Sequence, residues 1–285
     1  MMRRVVTVSV LFLFSIHGSK AQFRFNEVQV AAGPSYTISN HPDFPDVEEL
    51  SFLTTVRIAG QLDGSRPWHR SYSYPLIGLN AGWATLGNSG VLGNYYGLMA
   101  DIIFPKKLNK DLTLEVEAGM GAAYFTKPYD QVDNPENVVI GSSVTFSAYA
   151  ALALVKRVSK RSSLSLTANV VHCSNSHFKL PNVGLNMPGV LAGYRYSIGS
   201  APEIKHDTVD HVYDKRWRPV VRLALGFNEQ GSSTGPVNGP KYPIYLGAIY
   251  AARKVSYVNR VSVGIEYYFN TGIKDYIISQ EFYDE

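Results

Sequence analysis

The stretch "SSLSLTANVVHCS", residues 162–174, alternates in chemistry from one residue to the next. Leu164, Leu166, Ala168, Val170, His172 and Ser174 form one row; Ser163, Ser165, Thr167, Asn169, Val171 and Cys173 form the other. Successive side chains of a strand point to opposite faces, so the two rows face two environments. The even row is apolar until its last two members. Two architectures write such a pattern. A soluble antiparallel sandwich turns the apolar row inward, whereas an outer-membrane barrel turns it to lipid and the polar row to the lumen. The choice decides where His172 and Ser174 point.

The same alternation recurs along the chain. In "LTLEVEAGMGAAY", Leu112, Leu114, Val116, Ala118 and Met120 oppose Thr113, Glu115 and Glu117. In "RVSVGIEYYF", Val261, Val263, Ile265, Tyr267 and Phe269 oppose Arg260, Ser262, Gly264 and Glu266. Val221, Leu223, Leu225 and Phe227 likewise oppose Arg222, Gly226 and Asn228. This periodicity predicts strands at 26–36, 50–62, 73–84, 94–104, 112–125, 143–156, 162–174, 187–197, 217–228, 241–253 and 259–269. Such segments suit tilted strands crossing a bilayer. Aromatics gather near their ends: Tyr72, Tyr74, Tyr95, Tyr96, Phe104, Tyr124, Phe125, Tyr194, Tyr196, Tyr242, Tyr245, Tyr267 and Phe269 are candidates for interfacial girdles. After residue 21 no apolar run is long enough for a helical span.

The first 21 residues supply the third argument for a barrel. Arg3 and Arg4 precede an apolar run, Val5 to Ile16, and Ser19-Lys20-Ala21 is a small-x-small cleavage signal. This reads as a secretory leader, residues 1–21, with a mature chain starting at Gln22. The leader carries Arg3, Arg4 and Lys20 and no acid, so its removal takes the formal charge from +4 to +1. No basic run then points to nucleic acid. The single cysteine, Cys173, excludes an intrachain disulfide. It reads as a small packing residue, with a nucleophile as the alternative.

The expected fold class is therefore all-β: an antiparallel transmembrane β-barrel of roughly eight to twelve strands, formed by residues 22–285 as a single domain. Connections such as "PKKLNKD" and "RVSKR" are short, while 126–142, 175–186 and 229–241 are longer, as expected for inner turns and outer loops; 198–216 breaks the rule. Eleven strands do not close a bacterial barrel of even count. Either 26–36 lies outside the wall, or "KDYIISQEFY" (274–283) adds a strand, or the chain is incomplete.

In a barrel, His172 and Ser174 continue the lipid-facing row at the outer end of their strand. An imidazole at the hydrocarbon edge loses water without compensation, yet that is a useful place for an enzyme whose substrate is a lipid. Residues i and i+2 share a strand face. His172 can serve as general base toward Ser174 Oγ, which would attack an ester carbonyl. Asn175 and nearby backbone N–H groups are candidate oxyanion donors.

"HCSNSHFKLPNVGLN" (172–186) resembles the H-x-S-N…P-N-x-G signature of the lipid A 3-O-deacylase family, also called the acyloxyacyl-hydrolase-like outer-membrane family. "PWHRSYSYPLIGLNAGW", "VLGNYYGL" and "KPYDQVDNPENVVIGS" also resemble its Bacteroidetes-type members, so the likeness runs from about Phe25 to Tyr196 and more loosely to Phe269. The resemblance implies a bacterial outer-membrane serine esterase acting on lipid A, the anchor of lipopolysaccharide, with no metal or other cofactor. It puts the histidine on His172, the nucleophile on Ser174 and the adjacent asparagine on Asn175. The family's acidic residue falls on Asn186, which can orient an imidazole but offers no charge to its protonated form. Self-association as a homodimer stays open.

A barrel with a structural or adhesion role, and a soluble exported sandwich, are the competing readings. "KHDTVDHVYD" (205–214) offers His206, Asp207, Asp210 and His211 as metal ligands or as a polar loop. "GSSTGPVNGP" (231–240) lacks the Lys-Ser/Thr of a phosphate loop and reads as a flexible outer loop. "NPEN" (134–137) reads as a turn, and Trp68 and Trp83 as interface anchors.

Overall fold

The computed structural model describes residues 24–204, 213–256 and 258–279. The expected leader and the candidate ligands His206, Asp207, Asp210 and His211 lie outside them. Eight strands close an antiparallel barrel in sequence order: β1 (Glu27–Ser35), β2 (Ser51–Gln61), β3 (Leu76–Thr85), β4 (Asn94–Lys107), β5 (Leu112–Phe125), β6 (Val144–Arg157), β7 (Ser162–Ser174) and β8 (Leu185–Ser197). The seam joins β1 to β8, from Glu27 opposite Ser197 to Ser35 opposite Gly189. Gly33 permits it: a Cβ there would lie 2.1 Å from Val190 O of β8.

The rows of β7 separate as the alternation requires. Leu164, Leu166 and Val170 are exposed on the outer wall, while Ser165, Thr167, Asn169, Val171 and Cys173 are buried inside. Outward aromatics gather at both rims, with Phe52, Trp83, Tyr96 and Tyr124 at one and Phe25, Tyr194 and Tyr196 at the other. Expected girdle members differ in two ways: Tyr242, Tyr245, Tyr267 and Phe269 lie on strands outside the barrel wall, and Tyr95 (0% exposed) and Phe125 (1%) point into the barrel and pack edge to face, with ring centroids 5.8 Å apart. Tyr95 and Phe125 each lie on the inward row of their strand, so parity outweighs composition.

The interior is filled. Near the inner end, Arg57 sits 2.6 Å from both Asp101 Oδ2 and Glu117 Oε2. Arg195 holds Glu115 through two bonds of 2.9 and 2.7 Å. Gln29 Oε1 accepts from both guanidiniums, and Tyr149 Oη donates to Glu117. Charges so far from water need such pairing. Toward the outer end the filling becomes apolar: Leu53, Leu86, Leu92, Met99, Val139, Ile140, Leu185 and Met187 join Tyr95 and Phe125. Cys173 packs there, its Sγ 3.5 Å from Ser147 Oγ.

The three remaining strands do not enter this wall. β9 (Arg218–Asn228), β10 (Tyr242–Lys254) and β11 (Arg260–Asn270) form a separate antiparallel sheet in the order β11-β10-β9. This resolves the odd strand count: β1 is in the wall, and eight strands close without help. The segment expected to add a strand begins instead within a helix, α2 (Gly272–Ser279). A shorter helix, α1 (Pro67–Ser71), sits in the connection between β2 and β3 and carries Trp68.

Candidate active site

β7 and β8 build the site through their pairing. His172 stands directly opposite Asn186 in the ladder, so the two share the outer face as a cross-strand pair. His172 Nδ1 and Asn186 Oδ1 are 2.8 Å apart. An amide oxygen only accepts, so Nδ1 is the donor, and in the neutral imidazole Nε2 keeps its lone pair. Asn186 thereby sets the tautomer that a general base requires. Its backbone carbonyl is bonded in turn, accepting the Ile38 N–H at 3.0 Å.

Ser174 follows on the same outward row, with Cys173 between them turned inside. Its Oγ accepts a hydrogen bond from Asn182 Nδ2 at 2.9 Å and from the Ser176 N–H at 3.3 Å. Neither bond uses the hydroxyl proton, which stays available for donation. No hydrogen bond between Ser174 and His172 is present among the described residues. The two are neighbours nonetheless: His172 Cε1 and Ser174 Cβ lie 3.7 and 3.8 Å from the place a Cβ on Gly184 would take.

The loop 175–184 turns the chain from β7 to β8 and supplies the rest. Asn182 is 4% exposed, and its Oδ1 accepts the Asn175 N–H at 3.1 Å, which aims its Nδ2 at Ser174. Gly184 closes the loop with φ at +83°, a conformation that glycine enters at little cost. The P-N-x-G turn is thus part of the site. Asn182 carried no role in the sequence reading, although the motif that contains it was visible. Asn175, the oxyanion candidate, spends its Nδ2 on Lys179 O (2.8 Å) and Ser142 Oγ (3.4 Å).

The loop 126–143 forms the floor. Val183 and Gly184 donate N–H bonds to Val138 O and Val139 O. The "NPEN" segment is a knot of side-chain bonds: Asn134 Nδ2 reaches Val91 O and Pro128 O at 3.0 Å, and Asn137 Nδ2 reaches Lys127 O at 2.6 Å. The Asp133 and Val132 N–H groups hold the Asp130 carboxyl below its usual range. Glu203 lies in the connection after β8, at the opposite end of the barrel from Asn186. Among the described residues no group of three or more His, Cys, Asp or Glu could hold a metal ion.

An imidazole of fixed tautomer beside a serine, on the outer wall of a closed barrel, is an ester hydrolase's equipment in a membrane protein's setting. The lipid A 3-O-deacylase (PagL) family signature matches residues 54–195, from β2 to the end of β8. The chain belongs to that family, and it is an outer-membrane-type barrel hydrolase. Among solved structures, the outer membrane enzyme PagL is 18% identical, with a TM-score of 0.43 over 58% of this chain and 97% of that one. Neisserial surface protein A is 11% identical, with a TM-score of 0.42 over 60% and 96%. No curated protein matches.

Proposed function

We propose that this protein hydrolyses an ester-linked acyl chain of lipid A in the outer leaflet, with Ser174 as nucleophile and His172 as base. The supporting observation is the 2.8 Å bond between His172 Nδ1 and Asn186 Oδ1 on the outer wall, which in the neutral imidazole leaves the Nε2 lone pair to act as base on the strand face that also carries Ser174. Ser174 Oγ attacks the ester carbon as its proton passes to His172 Nε2. The tetrahedral intermediate collapses, the sugar oxygen leaves with the proton from Nε2, and an acyl-enzyme remains. Water then attacks that ester, giving its proton to Nε2, and the fatty acid departs as Ser174 regains its hydroxyl hydrogen.

Asn182 Nδ2, already 2.9 Å from Ser174 Oγ, is the donor best placed to follow the charge onto the carbonyl oxygen. Asn175 then acts mainly by orienting Asn182 through its backbone N–H. Free-enzyme bonds of this kind are often loose and tighten only around bound substrate, which suits a His172–Ser174 contact made during turnover. The test is purified protein in detergent with lipid A, followed by mass spectrometry. The wild type should release one acyl chain, and Ser174→Ala should release none above background; continued release by that variant would refute the mechanism.

A further inference from the structure

The segment between β9 and β10, residues 229–241, lies outside the family-matched region, yet it grips the loop that carries Asn182. Glu229 is 3% exposed. Its Oε2 accepts the Leu180 N–H at 2.6 Å, its Oε1 accepts Lys241 Nζ at 2.6 Å, and its own N–H donates to His177 O at 2.8 Å. Lys241 Nζ also donates to Phe178 O and lies 4.8 Å from the centre of the Phe178 ring. Ser233 O accepts the Asn182 N–H at 2.7 Å. Residues 177, 178, 180 and 182 are all held from this one hairpin.

The grip has a physical purpose. Ser176 and His177 sit at φ of 54° and 62°, a region that residues other than glycine seldom occupy. Such a backbone persists when its surroundings over-determine it. A buried carboxylate bonded to an ammonium and a backbone N–H is a strong, directional anchor. We infer that Glu229 is a positioning residue: it fixes the 177–182 segment so that Asn182 Nδ2 faces Ser174, which makes the C-terminal hairpin part of the catalytic apparatus. The inference rests on the reading of Ser174 as nucleophile.

The experiment uses full-length Glu229→Ala, Glu229→Gln, Lys241→Met and Ser174→Ala in detergent. Lipid A deacylation is followed over a range of substrate concentrations, with urea unfolding as the check on the fold. Glu229→Ala should lower kcat by about 100-fold, the usual scale for a small misplacement at a reacting centre, with KM within about twofold of wild type because the lipid contacts remain. Glu229→Gln keeps an oxygen for the Leu180 N–H and should recover most of that loss. Wild-type kcat in Glu229→Ala, with Ser174→Ala inactive, overturns the inference and leaves the site intact. Activity in Ser174→Ala overturns the reading of the site itself. Should Glu229→Ala not fold, Lys241→Met decides: about a tenfold fall in kcat is expected, and an unchanged kcat in the folded variant overturns the inference.

Discussion

Asn186 is the residue on which the chemistry turns. In the mechanism proposed above, its oxygen, 2.8 Å from His172 Nδ1, selects the tautomer that a general base needs, but an amide would not stabilise the imidazolium formed as Ser174 gave up its proton. In serine-hydrolase triads, replacing the carboxylate by an amide costs up to about 10⁴ in kcat. Asn186→Glu should therefore raise kcat by about tenfold or more in the lipid A assay. A slower Glu variant would mean that the site works by orientation alone and that a charge here is unwelcome. Cys173, between His172 and Ser174, is turned by parity into the packed interior, away from the proposed chemistry.

At the scale of elements, the hairpin β7–β8 carries the candidate site. Its register sets His172 against Asn186, and its loop returns Asn182 to Ser174. Gly184 is the hinge of this return. A methyl group there finds room, its nearest neighbour being Cys173 O at 3.4 Å, so only the backbone resists at φ +83°. Gly184→Ala should cost about 1–2 kcal/mol, read as a lower urea midpoint. The strained loop should also shift Asn182 and reduce turnover. A variant equal to wild type in both would show that the turn's geometry is not held by its glycine. The strands of this unit were legible from alternation alone, the shared face of His172 and Ser174 from parity, and Asn186 only through the family resemblance, since the expected strand began one residue later. Glu229 was not, because nothing local marks a carboxylate whose partner lies 49 residues away.

For the whole molecule, the decisive feature is a barrel that is apolar outside and carries buried ion pairs in the inner part of its interior. Leu166, 56% exposed in the middle of β7, has the solvent exposure of a surface residue and the chemistry of a core one. In lipid vesicles, Leu166→Arg should cost about 2–4 kcal/mol of unfolding free energy, the penalty for a cation deep on a barrel's lipid face. On a water-facing wall the same change would stay within about 0.5 kcal/mol, so a neutral result would place this surface in water. The three-stranded sheet repeats the amphipathic pattern: Val221, Leu223 and Leu225 are exposed on one face, and the other pairs Arg222 with Glu266 at 3.8 Å.

By itself the sequence determined which segments are strands, which side chains share a face, and that an imidazole and a hydroxyl end an apolar row. Those properties are local, because period-two alternation records the surroundings of each residue directly. Only the tertiary structure decided that β1 closes on β8 and leaves β9–β11 apart, that Tyr95 and Phe125 fill the interior, and that Asn182 and Glu229 converge behind Ser174. Closure and loop docking depend on hydrogen bonds and packing between residues far apart in the chain, and alternation along a single strand does not encode which distant edge or loop it will meet.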